Sequence, residues 1–590
     1  MRKNVSAEVF IQQEWSDCAA NKENVSRCRQ LSLLSDEELL HILSQPNVNG
    51  FFWLAQLSED AVFFKKTDVY NLTYSMLQRL IQKDAKCALT GLAKTGIVAE
   101  TQDTTGFLCL AAAIAHAIDY TYHTKTIEAI CAPLTLLIHM KDSPNHALVI
   151  SKCLAQARTG HYQNGMNGFF FLTSALKWAA KKKMEEKTLS IISHILTELT
   201  TTDAANVLNG LLQVNTRGKQ RHGLYQLLSA LRRTVYYAAQ PNASKQLIQG
   251  CQLCINAIIH ILQCLINNNA VAVVQGLARV LHEKTGLSFL TFSIKEALKN
   301  DHIKNTVLPL INILASLTAA DSLSVIKGLS VPSSFDRYKN VNSFFWLSIA
   351  LYLAADKEKY EECTRLGYIV EAFIKKNPIR VILDLSCKIK AAHFKNMNGF
   401  FWLAFALHQT AEKNPQSAQL GILCRLLHQL SEAKINEVIE CETADTKNVI
   451  EGLSSVVTTG YHQGKDGFYW LTHMLTTSQG EDLQSLANLI LPILISWNTL
   501  PDKIPQKFKA ALITIRDQLC APLEKEPNQF RTLSAPHTLL AEILTSPNKN
   551  QRESILPKAI PTSPNSMGQN SQEIELDNIS STDTSNRPQF

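Results

Sequence analysis

The amino-acid sequence predicts an all-α fold, a right-handed solenoid of about eight three-helix repeats of roughly 60 residues. Three observations predict it. One phrase recurs eight times at near-constant spacing, each recurrence carries a helix-start signature, and the intervals leave room for two further amphipathic helices. A unit of that length with one apolar face cannot bury the face alone, whereas stacked units can.

The phrase reads NGFFWLAQL, TGFLCLAAAI, NGFFFLTSAL, HGLYQLLSAL, TGLSFLTFSI, NSFFWLSIAL, NGFFWLAFAL and DGFYWLTHML. Its second position is Gly50, Gly106, Gly168, Gly223, Gly286, Ser343, Gly399 and Gly467, at intervals of 55 to 68 residues. The leading residues are Asn49, Thr105, Asn167, His222, Thr285, Asn342, Asn398 and Asp466. Asn, Thr and Asp accept hydrogen bonds from the free N–H groups of a first helical turn, so each phrase opens a helix. Ser343 in the glycine position argues for smallness there rather than for a positive φ.

Position four after the glycine is leucine in every copy, from Leu54 and Leu110 through Leu172 and Leu403 to Leu471. Position one is Phe or Leu, and position eight adds Leu176, Leu351, Leu407 and Leu475. Offsets of one, four and eight share one helix face, which makes it the core face. Trp53, Phe171, Phe289, Trp346, Trp402 and Trp470, three after the small residue, are expected to widen that stripe.

A second helix follows, as in KTIEAICAPLTLLIHM and YEECTRLGYIVEAFIKK, and three copies carry an internal proline, Pro133, Pro309 and Pro492, expected to bend it. A third helix carries a Gly-Leu step at Gly91, Gly210, Gly276, Gly328 and Gly452. Glycine costs about 1 kcal/mol inside a helix, so its recurrence points to close helix–helix approach.

Four regions result: an N-terminal helical cap or partial repeat at 1–48, the repeats at 49–500, capping helices at 501–546 and a tail at 547–590. LSLLSDEELLHILSQ has an F-box-like look, but its place before Gly50 matches the third helix of a partial unit. The tail is rich in Ser, Asn, Pro and Gln and poor in apolar residues, so disorder is expected.

Composition narrows the function. A net charge of +7 over 590 residues is too mild for a nucleic-acid surface. The N-terminus has no apolar signal core, and the apolar runs near 107–118 and 486–497 are short of the ~20 residues that span a bilayer, so no stable membrane insertion is expected. Most of the 14 cysteines, Cys109, Cys131, Cys153 and Cys264 among them, sit in apolar helical runs and read as small core residues. Cys251 and Cys254 form a lone CxxC in helical surroundings and read the same way. Phosphate-loop, HExxH, GxSxG and kinase signatures are missing from the sequence, and the 17 histidines do not recur at ligand spacing. The chain therefore reads as a protein-binding scaffold without cofactor or catalytic residues; an enzyme with an unrecognised site in a divergent repeat is the alternative, with the interval from Gly399 to Gly467 the place to look.

The loops entering the first helix carry rings and bases ahead of the glycine. His161, Tyr162, Arg337, Tyr338, His393, Phe394, Tyr461 and His462, with Lys339, Lys395 and Lys465, are the candidate partner-binding ladder along one edge. The competing reading is that these rings plug the gaps between units.

The triplet layout and in-helix prolines resemble HEAT and armadillo arrays without matching either consensus. A helical-repeat body with a Ser/Thr-rich end and the acidic cluster EIELD resembles bacterial type IV secretion effectors of the Dot/Icm class. That resemblance implies a C-terminal translocation signal and work in the cytosol of a host cell; without it the chain would be cytoplasmic.

Overall fold

The computed structural model describes residues 22–520, apart from 46–48, 99–100, 141–142, 159–164, 215–220, 282–283, 333–340, 390–395, 433–445 and 498–502. The tail at 547–590 and most of the C-terminal cap lie outside the described residues.

All eight phrases open a helix. These first helices are Gly50–Phe63, Gly106–Asp119, Gly168–Lys181, Gly223–Ala238, Gly286–Lys299, Ser343–Asp356, Gly399–Lys413 and Gly467–Thr477, and they define units one to eight. Each first helix packs on the first helices of its neighbours, and the second helices stack likewise, so the chain is an all-α helical-repeat solenoid. The recurrent leucines are core: Leu172 is fully buried and Leu403 nearly so.

Six of the eight caps are Asn, Thr or Asp residues that accept the expected first-turn hydrogen bond. His222 makes a seventh, its Nδ1 accepting from the Tyr225 N–H at 3.1 Å. Burial pushes that ring down to about 4, which keeps it neutral and able to accept. Asn49 departs from expectation. Its φ of 37° is left-handed, it makes no side-chain cap bond, and its Nδ2 donates to the Thr95 carbonyl instead.

The cap residues do a second job that the sequence alone did not disclose. Asn167, Thr285 and Asn398 each donate to the carbonyl of their own unit's third-helix glycine, Gly210, Gly328 and Gly452, at 2.7 to 2.9 Å. A side chain that both accepts and donates ties the start of the unit to its end, which explains Asn and Thr here in place of Asp.

The Gly-Leu step is a two-sided contact. A Cβ on Gly91, Gly210 or Gly452 would stand 2.3 to 2.6 Å from Phe51, Phe169 or Phe400, the position-one ring of the same unit. The following leucine presses the first glycine of the next unit: Leu92 on Gly106, Leu211 on Gly223, Leu453 on Gly467. Leu43, ending the helix Asp36–Leu43, presses Gly50 in the same way, so this helix stands to unit one as a third helix stands to the unit after it.

Second and third helices meet at a single residue. Asp84, Asp203, Asn269, Asp321 and Asn377 all adopt φ between −146° and −158° and ψ between 68° and 90°, and each caps the N–H three residues on. In units four and five this corner is the only break in Lys245–Ala278 and Val307–Leu329. Lys245–Ala278 and Asp301–Leu329 are long and apolar enough to cross a membrane by length and composition, yet the corners interrupt both and residues such as Ile258, Leu262 and Leu314 are fully buried. Pro133 and Pro492 lie inside their helices as expected, but Pro309 sits in the first turn of its helix, where its missing N–H has no intrahelical role.

A small antiparallel hairpin, Thr95–Val98 with Thr101–Thr105, replaces the expected polar loop before unit two. Single bridges at Ala157–Asn167, Val214–His222 and Leu281–Lys284 repeat its base in later units. Strand-like pairing therefore recurs just ahead of the first helix in units two to five.

Candidate interaction surface

Rings two, three, six and nine after the small residue meet across the seams between successive first helices of the later units. The rings at position three are buried, save the half-buried Trp53, but they do not simply widen the core stripe. Phe289 meets the Tyr225 ring at 5.1 Å, Trp346 meets Phe292 at 5.3 Å, Trp402 meets Tyr352 at 5.2 Å and Trp470 meets Phe405 at 4.3 Å, each partner belonging to the preceding unit.

The chemistry of this surface changes along the array. In units one to three an ion pair bridges the helices: Arg158 donates twice to Glu59, at 3.0 and 2.6 Å, and once to Cys109 Sγ at 3.6 Å. Arg158 is 3% exposed and also faces the Phe171 ring at 5.7 Å, so three units meet on one guanidinium. Beside it, burial and the Glu59 charge push the Asp60 carboxyl up to about 7, while burial pushes His116 down.

In units three to five the surface turns basic. The three first helices carry Lys177, Lys181, Arg232, Arg233, Lys295 and Lys299 against one carboxylate, Glu296, which pairs with Lys295. Arg232 lies 5.4 and 5.5 Å from the Phe289 and Phe292 rings, and Lys295 is 5.2 Å from both Phe292 and Trp346.

In units six to eight it becomes aromatic. Tyr352 stacks on Phe405 at 4.8 Å, His408 stacks on Trp470 at 5.1 Å, and His473 stands edge-on to His408 at 4.7 Å. Burial pushes His408 down to about 4, helped by the neighbouring His473 and Lys465.

Of the candidate ladder, His161, Tyr162, Arg337, Tyr338, His393 and Phe394, with Lys339 and Lys395, lie outside the described residues. Tyr461 and His462 are described, and they divide the two readings between them. His462 fills the gap between units seven and eight, 5.5 Å from Phe401, 5.1 Å from Phe405 and 5.7 Å from Trp470, and burial pushes it down to about 4. Tyr461 is 75% exposed beside it, with the Lys465 ammonium 5.3 Å from its ring and 4.7 Å from Trp470.

The cysteines Cys109, Cys131, Cys153, Cys251 and Cys254 are buried; Cys264 is half-exposed and lies 3.6 Å from His260 Nε2. Burial pushes both thiols of the lone CxxC up to about 12. No group of three or more potential metal ligands occurs among the described residues. A groove of 840 Å³ opens between the second helices of units six and seven, lined by Tyr360, Tyr368 and Gln416, and its Glu361 and Arg365 satisfy one another at 2.8 Å.

Sequence reasoning missed Glu59, Arg158, Asp384 and the corner residues. The corners had a signal, an Asp or Asn seven residues before the Gly-Leu glycine. Asp384 occupies that glycine position in unit six, where Ser343 also replaces the first glycine. Its carboxylate accepts from Ser330 Oγ and from Arg380 Nε at 3.1 Å, and burial pushes it up to about 6. Arg158 had no local signal, because its partner lies 99 residues away.

No protein-family model matches the chain, and no curated protein does. Among solved structures it is similar to a circular tandem repeat protein with novel repeat topology and enhanced subunit contact surfaces, at 12% identity and a TM-score of 0.30 over 88% of this chain and 96% of that one.

Proposed function

We propose that the chain is a non-enzymatic scaffold that binds a protein partner along the first-helix surface and the adjoining loop edge. Helical-repeat folds commonly serve as interaction scaffolds. The observation that carries the reading is the contrast between positions. Positions one and four keep the same apolar chemistry from unit to unit, while positions nine and ten pass from Glu59 and Asp60 through Arg232 and Arg233 to His408 and Gln409. Stacking asks for repetition at the contacts it uses, so graded variation along this surface fits recognition. The partner would be a protein of a host cell, reached after type IV secretion; the tail's composition and its EIELD cluster support that part.

Affinity capture on the full chain, from host and from bacterial lysate, tests the scaffold. One stoichiometric host protein is expected, and turnover of a captured small molecule would overturn it. Fusing residues 547–590 to a translocation reporter tests delivery. Failure of the reporter to enter host cells would remove the effector reading and leave the scaffold standing.

A further inference from the structure

The basic stretch of the first-helix surface goes beyond what stacking needs. Lys181 and Lys299 lie in the last turns of their helices, where the helix dipole alone favours a cation. It does not account for Arg221, which stands one residue before a cap, at the positive end of the helix in unit four, where a cation is disfavoured unless an anion is near. Nor does it account for Arg233, more than a turn inside its helix.

Among the described residues Arg221, Arg233, Lys181 and Lys299 form no ion pair, and the Nε atoms of Arg221 and Arg233 are buried without a hydrogen-bond partner. Both arginines act on Tyr225, and burial plus the Arg232 and Arg233 charges push Lys284 down to about 7, a sign of crowded like charge. From Gly223, two residues past Arg221, to Arg233 the helix runs about 15 Å at 1.5 Å per residue, matching four to five residues of extended chain at about 3.3 Å each. The bases are interleaved with Tyr225, Phe289 and Phe292 rather than set in a uniform row.

We propose that the first-helix surface of units three to five binds an extended acidic peptide segment of the partner, its carboxylates on Arg221, Arg233 and neighbouring bases. This rests on the scaffold reading and narrows it. The mild net charge of +7 over 590 residues favours a peptide over a nucleic-acid backbone, which calls for a denser basic surface.

The test uses the full chain and a fluorescent twelve-residue peptide alternating Glu with Leu and Phe, read by anisotropy. Saturable binding is expected, lost in half-molar salt and weakened at least tenfold by Arg221→Gln with Arg233→Gln. The exposed pair Lys181→Gln with Lys299→Gln should weaken it several-fold and leaves the interior untouched, so the result does not hang on one variant folding. Equal binding of the same peptide with Lys for Glu, unchanged affinity in either variant, or tighter binding of a twelve-nucleotide thymidine strand would overturn the proposal. If lysate capture still succeeds with both variants, the scaffold stands and this surface assignment falls.

Discussion

Units one to three and units six to eight solve the same seam with opposite chemistry. In the first region a buried guanidinium ties Glu59, Cys109 and Phe171 together; in the second, Trp402, Phe405, His408 and Trp470 close the gap with rings. Both regions close the ends of their first helices by the same rule, a side chain from the next unit donating to the last carbonyls: Tyr122 to Val62, Lys182 to Ile118, Lys357 to Lys299 and Lys413 to Asp356. The lesson is that capping and small-residue contacts set the spacing of this array, and the seam is then free to be charged or aromatic.

The two seams should break differently. An ion pair buried to this degree is costly to halve and cheap to replace whole. Arg158→Ala is expected to lower stability by about 3–5 kcal/mol in urea unfolding, because it strands the Glu59 charge. Glu59→Gln with Arg158→Met should recover most of that loss. If the single variant unfolds at the wild-type midpoint, the guanidinium does not hold these units together.

The next effect belongs to the spacing rule itself. Gly452→Ala puts a Cβ 2.6 Å from the Phe400 ring, and overpacking of this kind typically costs about 1–3 kcal/mol. Gly421 is the control within the same unit, since a Cβ there meets nothing within 4 Å. Gly421→Ala should be neutral or slightly stabilising through helix propensity. Equal midpoints for the two variants would show that the Gly-Leu step is not a close contact. Asn398→Ala follows, at about 1 kcal/mol for a lost cap and somewhat more for the freed Gly452 carbonyl, with faster amide exchange at Phe401 as the local readout.

Much of this was legible in the chain. Helix starts, the core leucines and the Gly-Leu contact follow from caps and periodicity, which are local. The one-residue corner was legible too, as Asp84 to Gly91 and Asn377 to Asp384 share a spacing of seven. What could not be read is long-range. Asn49 carries the cap residue type but is pulled aside by the Thr95 carbonyl, 46 residues on. Glu59 and Arg158 look like ordinary surface charges until the units stack. The position-three rings have core periodicity whether they face their own unit or the next, so only packing decides.

The smallest effect on global stability should come from pH, because the two regions pull in opposite directions. Asp60, raised to about 7, binds a proton more readily folded than unfolded. Its stabilisation is complete below the ordinary carboxylate range and fades as pH rises through that value. His408 and His462, lowered to about 4, do the reverse: their contribution is present above about 6.5 and fades as pH falls toward 4. Moving from pH 7.5 to 5 therefore should raise amide protection, corrected for the intrinsic exchange rate at each pH, in Gly50–Phe63 and lower it in Gly399–Lys413 and Gly467–Thr477, while the overall melting temperature moves little. Asp60→Asn should abolish the first drift and His408→Phe the second. Drifts of the same sign at both ends would mean that the charged and aromatic seams are not held by the protonation states their burial requires.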